Sequence, residues 1–140
     1  MTVHPQRLRR IKSFMIIGRE EEEAAISLLP RFPRQASFFA QQAVEKLLRA
    51  VIEAEDKNPG LGHNIRELTS FLSANHPLRS MFLEHEDVSS AATRFRYPTG
   101  GGGIAEPDPI EDLTADIKNI ARLRIAVTEF LVQNGFLPKA

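Results

Sequence analysis

Two arginines, a tyrosine and a proline in Arg94-Phe95-Arg96-Tyr97-Pro98 form the stretch best equipped for chemistry. Guanidiniums at i and i+2 near a helix end can cap free carbonyls or grip a phosphate or carboxylate by two prongs. Tyr97 adds a ring for stacking and a hydroxyl, and Pro98 stops a helix. Two readings stay open: capping arginines with an anchoring tyrosine, or an anion and base site beside the glycines that follow. Gly100 to Gly103 lack a following Gly-Lys-Ser/Thr and a preceding strand, so a phosphate-cradling loop is excluded and a flexible linker is expected.

The four histidines, His4, His63, His76 and His85, show no i, i+3 or i+4 pairing that a single helix could offer a metal, and no metal site is expected. His63 precedes a helix and reads as a helix-start hydrogen-bonding group or a ligand contact. His85 falls on an apolar stripe and reads as a core or interface histidine. Two charges fall on apolar stripes, Glu22 and Arg124. Each buried alone would cost several kcal/mol, so either they pair or their long stems carry the charges to solvent.

Chemistry of this kind needs a scaffold, and the composition bounds it. A chain of 140 residues fits one domain, residues 1–140, and 42% hydrophobic with 26% charged residues describes an ordinary soluble protein. Lys plus Arg and Asp plus Glu are both 18, so no global field attracts nucleic acid, and RNA is not expected as a partner. The absence of cysteine excludes disulfides and thiolate chemistry. Behind basic residues 7 to 12, the apolar run Phe14 to Ile17 is shorter than the roughly 7–15 residues of a secretory signal core, and no segment could span a bilayer. A cytoplasmic location without membrane contact is the expectation.

Five helical segments follow from apolar periodicity and punctuation. The first runs from about Pro5 to Leu29, with a possible bend at Gly18, and ends at Pro30 and Pro33. The second, about Arg34 to Glu55, has apolar residues at 40, 43, 44, 47, 48, 51 and 52. At about 100° per residue, Gln41 lies at the edge of that stripe and Gln42 well away from it. Asn64 caps a short third helix, with Glu67 completing an N-x-x-E pattern. His76-Pro77 opens a fourth that reaches Phe95. Asp108 caps the last, with Pro109 at its first position, and Asn134-Gly135 ends it. Leu123, Val127 and Phe130 widen its stripe beyond what one side of a small bundle needs, which predicts a homodimer. The fold class is all-α: an antiparallel, up-and-down four-helix bundle plus one short helix.

The run Phe38-Phe39-Ala40-Gln41-Gln42-Ala43-Val44-Glu45-Lys46-Leu47-Leu48-Arg49-Ala50 resembles the signature helix of the HEPN family (higher eukaryotes and prokaryotes nucleotide-binding domain). Gly62-His63-Asn64-Ile65 and Arg94-Phe95-Arg96-Tyr97-Pro98 follow in the family's order, and the resemblance covers roughly residues 14 to 132. It places Gln41 and Gln42 at the paired Gln, His63-Asn64 at a His-Asp, and Arg96-Tyr97-Pro98 at the Arg-Tyr-Pro of one branch. The expected ligand-binding set is thus Arg94, Arg96, Tyr97, Gln41 and His63. Many family members are ribonucleases with an Arg, four to six residues, then His, but this chain has no histidine after His85. The resemblance implies a homodimer, a small nucleotidyltransferase partner as in toxin–antitoxin pairs, and a bound nucleotide. It therefore implies a non-catalytic binding or partner module, with no catalytic residue and no cofactor. The alternatives are a ribonuclease toxin with a non-standard site and a purely structural dimerisation bundle.

Overall fold

His4 and Pro5 start the first helix together. The His4 ring nitrogen accepts from the Gln6 N–H at 3.1 Å, and Pro5 needs no N–H partner there. The computed structural model describes residues 3–62, 64–87 and 91–139. It holds helices α1 Pro5–Leu28, α2 Pro33–Ala54, α3 Ile65–Thr69, α4 Arg79–Leu83, α5 Ala91–Arg94 and α6 Ile110–Gln133, and no strand among the described residues. The all-α expectation is met.

α1 runs unbroken through Gly18. The glycine is buried where α1 meets α2, and a Cβ there would stand 3.3 Å from the Lys46 Cβ and 3.5 Å from the Ala43 carbonyl oxygen. The missing side chain lets the two backbones approach. They run antiparallel: Arg10 pairs with Glu53 near one end (3.2 Å) and Glu21 with Lys46 towards the other (3.1 Å). Arg7 closes the far end of α2 by donating to the carbonyls of Glu53 and Ala54, the first of which also accepts from the Asp56 N–H.

From the end of α2 the chain climbs back. His76 lies 3.0 Å from Glu55 and stacks near Phe130 of α6, while His85 and Arg94 have reached the level of Ala36 at the start of α2. This climbing leg was expected as one long helix from His76 to Phe95. Instead it is α4, a 3₁₀ turn at Glu86–Asp87 and α5, with residues 88–90 outside the description. The break begins where the His85 N–H bonds the Phe82 carbonyl, tightening the turn to i−3. α6 then descends alongside α2, and Gly135 ends it with φ at 80°.

The core lies around α2, which is buried on most of its circumference: Ala43, Val44, Leu47, Leu48, Val51 and Ile52 meet Ile11, Ile65, Leu68, Phe82 and Leu123. Of the three residues that widened the α6 stripe, Leu123 and Val127 are enclosed by this same chain, whereas Phe130 is half-buried. No described helix is long and apolar enough to cross a membrane.

Candidate functional site

The Arg94–Pro98 stretch begins at the end of α5, and the chain's turn there sends the two guanidiniums to different surroundings. Arg94, the last residue of α5, lies 4.3 Å over the Phe95 ring and 3.6 Å from the Asp108 carboxylate. That contact accounts for Asp108, which was expected to cap α6. The helix instead starts at Ile110 with Pro109 as its uncapped N-cap. Arg96 has no carboxylate partner among the described residues. Its guanidinium carbon stands 5.4 Å from the Phe38 ring centre and 5.6 Å from that of Tyr97, a cationic plane held by two aromatic faces. Arg96 and Tyr97 are exposed, Tyr97 at 61%.

Phe38 is half-buried on α2, and the same face continues through half-buried Gln42, Lys46 and Arg49. Lys46 donates to the Gln42 side-chain oxygen at 3.2 Å, and Gln42 donates to Gln41. Arg49 donates to the carbonyls of Gly60 and Gly62, fastening the loop before α3 against α2. One face of α2 thus joins the Arg96–Tyr97 platform to the Gly60–Gly62 loop, about 16 Å apart at 1.5 Å per residue from Phe38 to Arg49. Gln41 is fully enclosed, so it serves the interior of the bundle and does not reach a ligand on Tyr97. His63 lies outside the described residues. Asn64 caps α3 as expected, its side-chain oxygen accepting from the Glu67 N–H at 3.2 Å.

Gly100 to Gly103 do not cover the platform's neighbouring cleft. They close on themselves: Thr99 and Gly103 exchange a 2.8 Å backbone bond and a 3.1 Å bond to the Thr99 hydroxyl. Gly102 has φ at 84°, a conformation glycine adopts without strain. The run is a closed turn, where a loose linker was expected.

On the other side of α5 lies a cleft of about 780 Å³ between the start of α2, the climbing leg and the first half of α6. Ala36, Ala40, Met81, Leu113 and Ile117 supply apolar wall, and Glu84, Asp87, Asp108, Asp112 and Asp116 supply five carboxylates against the guanidiniums of Arg94 and Arg122. Burial, reinforced by Asp108, Asp112 and Asp87, raises the Asp116 carboxyl above its ordinary value. Burial lowers the His85 imidazole, with Glu84 opposing it. Sequence reading missed this cleft, although Asp108, Asp112 and Asp116 recur every four residues along one face. No trio of His, Asp or Glu among the described residues is arranged to hold a metal.

The family model of the HEPN domain matches residues 19–126, most of the chain, including α2, the climbing leg and the Arg-Tyr-Pro stretch. The chain belongs to the HEPN family. No curated protein and no solved structure matches it. Within this HEPN domain, Arg96-Tyr97 and Phe38 come together from distant parts of the sequence, whereas Arg94 turns to the acidic cleft and Gln41 to the interior.

Proposed function

We propose that this HEPN domain is a non-catalytic nucleotide-binding module, with Arg96, Tyr97 and Phe38 as its ligand platform. The observation that carries the reading is the Arg96 guanidinium, exposed, aromatic-flanked and without a carboxylate partner among the described residues. A base stacks on the exposed Tyr97 ring, and the phosphates meet the Arg96 fork. The lack of any histidine after His85 supports a binding role over RNA cleavage. His85 and Arg94 do line one cleft, the specific observation that favours the ribonuclease alternative. Five carboxylates in that cleft oppose a polyanion there.

The same proposal includes a small nucleotidyltransferase partner and a homodimer, both resting on family resemblance. The dimer loses the argument from Leu123 and Val127, which the bundle itself buries.

The test is titration of the purified chain with ATP by calorimetry, beside Arg96→Ala and Tyr97→Ala. Loss of one charge-assisted hydrogen bond weakens binding about 10- to 150-fold. Melting temperature should hardly change, because Arg96 closes no ion pair among the described residues. A drop in melting temperature with unchanged ATP binding would show instead that Arg96 and Tyr97 are structural anchors.

A further inference from the structure

We infer that the acidic cleft is a second binding site, for a linear oligoamine: two or three ammonium groups joined by short methylene runs. The inference concerns the side of α5 away from the Arg96 platform and does not depend on that platform's ligand.

Carboxylates alone would not make a site. The cleft also holds one enclosed polar atom without a partner among the described residues, and a buried histidine beside it. Ser37 is 6% exposed, and its buried hydroxyl has no hydrogen-bond partner among the described residues. His85 is 8% exposed and lines the same cleft. A buried polar atom normally has a partner, and an unpartnered Ser37 hydroxyl bordering this cavity marks where a ligand supplies what the chain does not. Ser37 and His85 can both accept an N–H: the serine through its oxygen, and a neutral imidazole through its unprotonated nitrogen. Burial lowers the His85 imidazole below its ordinary value, which favours the neutral form that can accept from an ammonium group.

The spacing of the charges selects the ligand. Asp112 and Asp116 are one turn apart on α6, about 6 Å along the axis at 1.5 Å per residue. Ammonium nitrogens separated by three or four methylenes lie about 5–6 Å apart by ordinary bond lengths. The methylenes would run along the apolar wall between the carboxylates. Counting five carboxylates against two guanidiniums, the lining carries three excess negative charges with His85 neutral, which a triamine balances. A volume of about 780 Å³ accommodates a small ligand, in the usual range of roughly 300–1,000 Å³. A bare divalent ion does not suit the cleft, since the described carboxylates do not converge into a coordinating trio.

The experiment is calorimetric titration of the full chain with spermidine, a linear triamine, at pH 7 and low ionic strength. It is repeated with magnesium chloride, with the Asp112→Asn/Asp116→Asn double variant, with Ser37→Ala, and with Glu129→Gln on the exposed far part of α6. Expected are saturable one-to-one binding of spermidine and weaker binding of magnesium. The double variant should lose at least about 10-fold in affinity, the lower bound for one charge-assisted hydrogen bond. Ser37→Ala should lose less, and Glu129→Gln nothing. Asparagine keeps the carboxylate's shape and removes repulsion, so the double variant should melt no lower than the parent and remain a fair test. No saturable heat, unchanged affinity in the double variant, an equal loss in Glu129→Gln, or magnesium binding as tight as spermidine would each overturn the inference. ATP binding at Arg96 should be the same in the double variant, which keeps the two sites' fates separate.

Discussion

Arg124 donates through Nε to one carboxylate oxygen of Glu22 at 2.7 Å and reaches the other with Nη2 at 3.5 Å, joining α6 to α1 across 102 residues of sequence. Both side chains are largely withdrawn from water, at 5% exposure for Glu22 and 19% for Arg124. A fork-to-fork pair of this kind fixes register more dependably than it adds stability, because desolvation offsets much of the attraction. Replacing one partner leaves a charge alone beside the core. Glu22→Leu should therefore lower unfolding free energy by about 3 kcal/mol, the lower end of the usual 3–5, since Arg124 keeps some water contact. The Glu22→Leu/Arg124→Met double variant should lose less than Glu22→Leu alone. Urea denaturation of the three proteins checks this, and additive losses would show that the pair is not coupled.

Gly18 sets the spacing of α1 on α2, and its replacement should be felt in packing more than in helix propensity. Gly18→Leu would press a branched side chain against Ala43, Lys46 and Leu47, which stand within 3.3 to 3.7 Å of even a bare Cβ. Overpacking of this sort should destabilise by about 1–3 kcal/mol, outweighing the roughly 1 kcal/mol that a better helix former gains. Chemical denaturation of the variant measures it. A stability at or above the parent's would mean the helices separate without penalty.

The two perturbed groups in the cleft give opposite pH slopes. Asp116 has its carboxyl raised above 3.8 by burial and then by Asp108, Asp112 and Asp87, so between the two values the folded chain binds more protons than the unfolded one. Stability from this group is present below 3.8 and is lost as pH rises through the folded value. Asp116→Asn should therefore raise the melting temperature at pH 7 and flatten the acid side of the profile. His85 has its imidazole lowered below 6.5 by burial, so the unfolded chain binds more protons. Its contribution is present above 6.5 and is lost as pH falls through the folded value. A histidine NMR titration giving His85 a midpoint at or above 6.5 would contradict this reading.

Ribonuclease assays supply the enzymatic check. Purified protein incubated with single-stranded RNA and with tRNA should leave both intact, because no histidine follows Arg94 or Arg96 at the family's spacing. Cleavage that disappears in Arg94→Ala or His85→Ala would assign the acid/base work to the cleft and replace the binding proposal. Cleavage that persists in both variants would point to a contaminant.

Much of the architecture was legible in the chain itself, because helix starts and stops are local events. Pro5, the Asn64 cap, the Asn58-Pro59-Gly60 turn and the Asn134-Gly135 terminus act over three or four residues, and each lies at or beside an observed boundary. The stripe of α2 likewise declared a helix buried along its length. The family motif could be read directly, and the family model bears it out. Glu22 and Arg124 could each be recognised as a charge out of place, since that needs only the helical period of their own segments.

Tertiary structure decided the rest, wherever an outcome depended on which surfaces meet. Periodicity could not say whether Glu22 and Arg124 pair or escape to solvent; the packing of α6 on α1 brings them together. Arg94 and Arg96 stand two residues apart, but the end of α5 sends one to Asp108 and the other to Phe38. Of the apolar surplus read on α6, the core encloses Leu123 and Val127 and leaves Phe130 half-buried. The acidic cleft draws on three stretches of chain, around Ser37, His85 and Asp116; only the recurrence of acids in the last is visible locally, and it does not reveal the cavity. Local sequence sets backbone preference through short-range sterics and hydrogen bonds, whereas a cavity and its field arise only once distant segments exclude water from between them.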